Sequence, residues 1–292
     1  MMIWFLVELI FVLPRSGEVP PVSWDAHARK EHLAFVCELS PLIRESSGLI
    51  FFNRKFWTFN DSGGGPVLYG FDPDSANKVQ TITIANARNV DWEEVTQDQN
   101  FIYIGDFGNN LGNRKDMKIY KINKSAIPRN HHDASVIAEE ISFSFANQKN
   151  FKPGLWHARY DCEAMISWGD SLVVFTKDWE KEISQFYIIP KSPGNYRPQP
   201  AGTFPARGLV TGAAYNSSRH LLVLCGYEDF VPFVWYVFPG NPQEIPKAER
   251  HRYTFWNMAG VQTEGICFGP DSTLYLTSEK SRFKQALYCI LP

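Results

Sequence analysis

The 292-residue sequence lacks the features that would mark several common classes of protein. Its five cysteines are odd in number and show no C-x-x-C spacing, so we expect free thiols rather than a zinc site. The net charge is −2 and no basic stripe is present, so we expect no nucleic-acid partner. The sequence contains no G-x-S-x-G segment, which is the pattern typical of a serine nucleophile. What the chain does contain is 44% hydrophobic and 15% aromatic residues, which is typical of a globular protein with a large core.

The apolar segment MMIWFLVELIFVLP at residues 1–14 is too short to span a bilayer. It resembles the apolar region of a signal peptide, although no basic residue precedes it. We therefore expect residues 1–30 to be a signal-like segment and residues 31–292 to be one domain. The alternative is an apolar segment that packs on the fold. A signal predicts an extracellular or periplasmic protein, and its absence predicts a cytoplasmic one.

A pattern of strand, tight turn, strand, loop and strand occurs five times. Four-stranded units with a period near fifty residues are typical of a β-propeller. The sequence therefore predicts an all-β propeller with five blades. A six-bladed ring and a β-sandwich are the alternatives. The repeats begin at Ser47, Glu93, Glu163, Thr211 and Glu264.

The segment HLAFVCEL at residues 32–39 precedes the first repeat, and the fifth repeat lacks a fourth strand. We predict that this N-terminal strand pairs with residues 285–291 and closes the ring, which would remove an open sheet edge. The long interval before the third repeat is predicted to contain a loop at residues 147–160 rather than a further blade.

Two columns of acidic residues recur where the innermost strands begin. Side chains two residues apart on a strand point to the same face, so both columns are predicted to line one end of the central channel. Carboxylates held close together repel one another unless a cation or a proton relieves the repulsion. We therefore predict a divalent cation, calcium, bound by Glu45, Asp91, Glu93, Asp161, Glu163 and Glu264.

The second strand of each repeat returns to the same end of the channel. The ends of these strands are predicted to add ligand-binding side chains, namely Asp61, Asp106, Lys177, Asp178, Glu279 and Lys280. The alternative for any one of these residues is a hydrogen bond to a neighbouring blade, with no ligand.

Residues 45–120 resemble a family of bacterial β-propeller proteins that lack a known activity. The shared pattern is E-S-S-G-L, N-D-S-G, D-W-E-[DE] and I-Y-I-G-D-x-G-N-N, found here at residues 45–49, 60–63, 91–94 and 102–110. The resemblance implies six blades. More loosely, the chain is similar to gluconolactonase-like and esterase-like phytase propellers, which implies that acids at the channel end hold a divalent metal or a phosphate-bearing ligand.

The loop FKPGLWHARYDCEAM at residues 151–165 leads into the third repeat. We predict that Trp156 stacks on a ligand ring, that Arg159 pairs with an anionic group and that His157 acts as a general acid or base. His157 and Glu163 are the catalytic candidates. The alternative is that Trp156 fills the channel and Arg159 neutralises Asp161.

These features favour a monomeric propeller that binds a small polar or carbohydrate-like ligand at an acidic, cation-binding channel end. Two other functions stay open. One is a metal-dependent hydrolase of a small ester, lactone or phosphoester, which needs a positioned base. The other is a protein-interaction scaffold, which needs exposed apolar residues on one face.

Overall fold

The computed structural model describes residues 31–129, 133–154 and 158–291. Within these residues the only helices are short 3₁₀ turns, and none has the length or apolar character that crossing a membrane requires. The predicted signal-like segment at residues 1–30 lies outside the described residues, so the domain boundary stays a prediction. The 3₁₀ turns are Pro73–Ser75, Lys124–Ala126, Ser217–Arg219, Pro242–Glu244 and Trp256–Met258.

The strands form five sheets that are the blades of a β-propeller. The predicted fold is confirmed, and the six-bladed alternative is wrong. Blade 1 contains β2 (Ser46–Phe52), β3 (Lys55–Asn60), β4 (Val67–Phe71) and β5 (Gln80–Ile84). Blade 2 contains β6 (Trp92–Gln97), β7 (Phe101–Asp106), β8 (Met117–Asn123) and β10 (Glu139–Phe143). Blade 3 contains β11 (Asp161–Trp168), β12 (Ser171–Lys177), β13 (Ser184–Pro190) and β15 (Pro200–Phe204). Blade 4 contains β16 (Leu209–Asn216), β17 (Leu221–Glu228), β18 (Val231–Phe238) and β19 (Glu249–Thr254).

Blade 5 is completed by the N-terminal strand, as predicted. It contains β20 (Thr263–Phe268), β21 (Leu274–Ser278), β22 (Ala286–Leu291) and β1 (His32–Glu38). Strand β1 pairs antiparallel with β22, with Leu33 opposite Ile290. Both of these side chains are buried, so the closure covers apolar surface as well as the edge of β22.

Two short strands that the sequence pattern did not predict connect neighbouring blades. β9 (Asp133–Val136) pairs parallel with β5, and β14 (Gly194–Tyr196) pairs parallel with β10. Each arises from the connection between the third and fourth strands of one blade and joins the outer strand of the blade before it. These strands cover the edges of blades 1 and 2 and link adjacent blades by backbone hydrogen bonds.

Aromatic side chains fill the space between the blades. Phe59 and Trp92 meet edge to face between blades 1 and 2, with ring centroids 5.4 Å apart. Trp168 and Tyr215 stack between blades 3 and 4 at 3.9 Å. The aromatic content of the sequence therefore reflects the wide, flat interfaces that five sheets make around an axis.

Candidate functional site

The innermost strands β2, β6, β11, β16 and β20 contact one another in a closed ring. In every one of them the pairing with the second strand shifts near the start of the strand, which marks a β-bulge. A bulge changes the direction in which a side chain points, and bulges often lie next to functional sites. We use the term mouth for the end of the axis at which these strands begin, which is formed by Ser47, Glu93, Glu163, Thr211 and Glu264 together with the loops around them.

Three carboxylates converge at the mouth between blades 1 and 2. Asp61, Asp91 and Glu93 each offer an oxygen, and these oxygens all lie within 4.8 Å of one another. Gly108 lies directly against them, because a Cβ atom at this position would come 2.2 Å from Oε1 of Glu93 and 2.4 Å from Oδ2 of Asp91. Glycine at position 108 therefore leaves the space that the carboxylates occupy.

Burial and mutual repulsion oppose simultaneous ionisation of these three carboxyl groups. Burial, followed by the charge of Asp91, raises the pKa of Asp61 to about 7. Burial and the charge of Asp161 raise the pKa of Asp91 to about 6, and burial and Glu163 raise that of Glu93 well above its usual range. Oδ1 of Asp61 is buried and accepts no hydrogen bond from the described part of the chain. A proton or a cation would relieve this repulsion, and the oxygen donors suit a hard cation.

The mouth acids of blade 3 already have a positive partner. Nζ of Lys177 lies 2.5 Å from Oε1 of Glu163 and 3.7 Å from Oδ2 of Asp161. Asp161 also accepts hydrogen bonds from the backbone N–H of Asn109 at 2.8 Å and from Nε1 of Trp179 at 3.0 Å. Burial lowers the pKa of Lys177, but the neighbouring carboxylates outweigh it and raise the pKa well above its usual range. Lys177 therefore supplies a positive charge to both Glu163 and Asp161 from within the protein.

A third group lies at the mouth on blades 4 and 5. Burial and the charge of Glu279 raise the pKa of Glu264 well above its usual range. Burial and the charge of Asp61 raise the pKa of Glu279 to about 7. Tyr227 is buried beside them, and its pKa is raised by burial while Lys177 opposes the shift. The sequence pattern did not indicate Tyr227. Its signal was its position, because it is the penultimate residue of β17, whose end returns to the mouth.

Two predicted ligand-binding acids have internal partners. Asp106 pairs with Arg114 at 3.0 Å and accepts the backbone N–H of Asp91 at 3.1 Å, so it holds the chain that carries Asp91. Oδ1 of Asp178 accepts the backbone N–H groups of residues 180 and 181 and organises the loop after β12. Both side chains are buried, and both match the alternative of hydrogen bonds within the fold.

The remaining predicted residues lie at the rim or outside the described part of the chain. Glu45 and Lys280 are exposed. Arg159 is also exposed and pairs with Glu180 at 2.7 Å rather than with Asp161, beside a cavity of about 550 Å³. Trp156 and His157 fall outside the described residues, so their predicted roles stay predictions.

Glu94 is a buried axial residue whose role the sequence reasoning missed. Its side chain is fully buried, and its carboxylate accepts the backbone N–H of Ala213 at 2.8 Å and that of Val95 at 2.9 Å. A third N–H, that of Met165, also faces it. Glu94 therefore links the inner strands of blades 2, 3 and 4. The repeat contained a signal for this role, because Glu94 is the one large residue at its position. The residues at the same position in the other four repeats are all small: Gly48, Ala164, Gly212 and Gly265.

Comparison with known proteins identifies the architecture. No family model matches the chain, and no curated protein matches its sequence. A glucose dehydrogenase structure superposes with a TM-score of 0.51 at 10% identity, over 89% of this chain and 99% of that chain. The soluble aldose sugar dehydrogenase from Escherichia coli superposes with a TM-score of 0.52 at 11% identity, over 90% of this chain and 99% of that chain. At such low identity the similarity shows the β-propeller fold alone.

Proposed function

We propose that this protein is a calcium-dependent binding protein that holds a small, polar, carbohydrate-like ligand at the mouth. The observation that carries the proposal is the convergence of Asp61, Asp91 and Glu93 within 4.8 Å. Among the described residues no lysine or arginine forms an ion pair with these three acids. Lys177 and Arg114 are the nearby cations, and they are already held by Glu163 and Asp106.

The donor set and its size favour calcium. Oxygens bound to Ca²⁺ at about 2.3–2.6 Å lie at most about 4.6–5.2 Å apart, whereas oxygens bound to Mg²⁺ at about 2.0–2.1 Å lie at most about 4.2 Å apart. Separations within 4.8 Å fit inside the range that Ca²⁺ spans, so the cluster can accept Ca²⁺ without movement of the chain. The described histidines His32, His220 and His251 lie in β1, in the turn between β16 and β17, and in β19, which are not parts of the mouth.

Three carboxylates do not complete the coordination of calcium, which takes about 6–8 oxygens. Water, or hydroxyl groups of a ligand in the mouth, would supply the remaining oxygens. The fold neighbours named as glucose and aldose sugar dehydrogenases support sugars as a ligand class for this architecture.

Hydrolysis of a small ester, lactone or phosphoester is the second candidate. The feature that favours it is the position of Glu279 at the mouth, directly after β21, where burial and the charge of Asp61 raise its pKa to about 7. A general base works best with a pKa near the working pH. Turnover of model lactones and phosphoesters that is lost in Glu279→Gln would support this activity over simple binding.

The test of the cation site is a thermal melt combined with metal analysis. Purified protein should contain calcium, and chelator should lower Tm by several degrees, because a cation at 100 times its Kd adds about 2.7 kcal/mol. Added calcium should restore Tm more fully than magnesium. Asp91→Asn should abolish the calcium shift, and the exposed control Glu139→Gln should retain it. A wild-type protein whose Tm ignores both chelator and calcium would overturn the proposal.

A further inference from the structure

Three exposed aromatic side chains lie on neighbouring loops at the mouth side of blades 4 and 5. Phe230, Trp256 and Phe283 are 63%, 75% and 40% exposed. Phe230 lies in the two-residue turn between β17 and β18, Trp256 in the connection from β19 to β20, and Phe283 in the loop between β21 and β22. We use the term aromatic ledge for these three residues.

Backbone and side-chain contacts join the three loops into one surface. The N–H of Gly260 donates to the carbonyl oxygen of Phe230 at 2.7 Å. Nη2 of Arg282 donates to the carbonyl oxygen of Ala259 at 3.2 Å, and the Arg282 guanidinium lies 4.9 Å from the centroid of the Phe283 ring. The three loops that carry the ledge are therefore joined by direct contacts.

The ledge is also continuous with the mouth. The rings of Phe230 and Tyr227 are nearly parallel, at 4°, with centroids 6.0 Å apart. On the other side, the N–H of Glu279 donates to the carbonyl oxygen of Gln262 at 3.1 Å, which joins the loop of Phe283 to the connection that carries Trp256. These contacts connect the loops of the ledge to Tyr227 and Glu279 at the mouth.

The backbone at Phe230 is strained for an aromatic residue. Asp229 has φ +49° and Phe230 has φ +61°, and both are central residues of the tight turn. Turns of this kind prefer Asp-Gly or Asn-Gly, because a bulky side chain at positive φ clashes with its own backbone. Phe230 is too exposed to recover that cost by burial.

We propose that the aromatic ledge stacks on the apolar face of a neutral pyranose ring whose hydroxyl edge reaches Glu279 and the calcium site. A sugar ring has a C–H face that packs on aromatic rings and a hydroxyl edge that binds carboxylates and cations. The mouth acids repel an anionic ring, and a cationic ring competes with calcium. This inference rests on the proposed function, since it names the class of ligand for the same site.

The experiment is a calorimetric titration of the full chain with the methyl pyranosides of glucose, galactose and mannose. Glucosamine and glucose 6-phosphate are the cationic and anionic probes. In saturating calcium we expect at least one neutral glycoside to bind and both charged sugars to bind more weakly. Trp256→Ala should weaken binding of the glycoside about tenfold, the effect of one lost aromatic contact.

Phe230→Gly separates a structural role from a binding role. It creates Asp-Gly in the turn, so Tm should stay equal or rise, while glycoside affinity falls about tenfold. Phe35→Ala is the matched control, because Phe35 is 64% exposed on β1. It should leave glycoside binding unchanged.

Calcium affinity, measured in parallel for every variant, separates the two proposals. Calcium binding without glycoside binding, or glycoside binding that Trp256→Ala and Phe230→Gly leave unchanged, would overturn the role of the ledge and leave the cation site standing. Glycoside binding that persists unchanged in chelator would support the ledge and overturn the calcium dependence of ligand binding. Tighter binding of either charged sugar would overturn the assignment to a neutral ring.

Discussion

The ammonium nitrogen of Lys177 lies 2.5 Å from a carboxylate oxygen of Glu163, and this pair distinguishes the mouth acids of blade 3 from those of blades 1 and 2. Glu163 and Asp161 share a positive charge supplied by the protein. Among the described residues, Asp61, Asp91 and Glu93 form no ion pair, although their oxygens lie within 4.8 Å of one another. The mouth therefore contains one internal ion pair beside one cluster suited to a cation.

Removal of Lys177 should show how much its ion pair with Glu163 contributes to the free energy of unfolding. Lys177→Met leaves Glu163 and Asp161 buried without a counter-charge, so we expect unfolding free energy to fall by about 3–5 kcal/mol. Urea denaturation provides the measurement. The double variant Lys177→Met with Glu163→Gln should recover most of the loss. A single variant as stable as the wild type would show that the pair is not needed.

Gly108 should be required for cation binding and not for folding. In Gly108→Ala the new methyl group would come 2.2 Å from Oε1 of Glu93 and must displace the carboxylates. We expect the rise in Tm on calcium addition to be lost. Gly154→Ala is the control, because a Cβ at position 154 meets nothing within 4 Å. Equal calcium shifts in the two variants would place the cation elsewhere.

Stability of the calcium-free protein should fall as pH rises. Burial and neighbouring acids raise the pKa values of Asp61 and Glu279 to about 7 and that of Asp91 to about 6. The same carboxyls titrate near pH 4 in the unfolded chain, at about 3.9–4.3. Between these values the folded protein binds more protons than the unfolded one, so stability is full below the unfolded pKa and is lost as pH rises through the folded pKa.

We therefore expect Tm in chelator to be higher at about pH 5 than at about pH 8, because the three carboxyls lose their protons in that window. Calcium should remove most of the difference, since it replaces the protons. Asp61→Asn should reduce the slope. A Tm in chelator that rises over this range would contradict the assignment of raised pKa values.

Glu94 should stabilise the propeller rather than bind a ligand. Glu94→Ala deprives three buried N–H groups of their acceptor, and each such loss costs about 1–3 kcal/mol. We expect a loss of at least about 3 kcal/mol in urea denaturation. Glu139→Ala, in an exposed pair with Lys121, should cost about 1 kcal/mol or less. Similar losses in the two variants would exclude the linking role.

The N-terminal strand should be essential for stability of the whole domain. A truncation that begins at residue 39 removes β1, exposes the edge of β22 and uncovers Ile290. We expect a large fall in Tm by calorimetry. A truncation that begins at residue 31 retains β1 and should melt like the full chain. Equal Tm values for the two truncations would show that ring closure contributes little.

Much of the fold could be read from local patterns. Strand alternation and turn residues repeat in each blade, and the incomplete fifth repeat left only the orphan segment at residues 32–39 to close it. The short strands β9 and β14 could not be read in this way. Their three or four residues carry no distinctive period, and they exist because a neighbouring blade offers an unpaired edge.

The sequence by itself determined which residues begin the inner strands, because that position recurs with the period of the blades and depends on local order alone. It thus predicted the convergence of Asp91, Glu93 and Glu163 at the mouth. Only the tertiary structure decided which acids pair with a lysine and which cluster with one another. Lys177 reaches Glu163 because antiparallel strands bring their ends together, and Asp61 joins Asp91 because adjacent blades meet at the axis. Charge pairing depends on distances of a few ångströms between distant segments, and a one-dimensional pattern does not contain those distances.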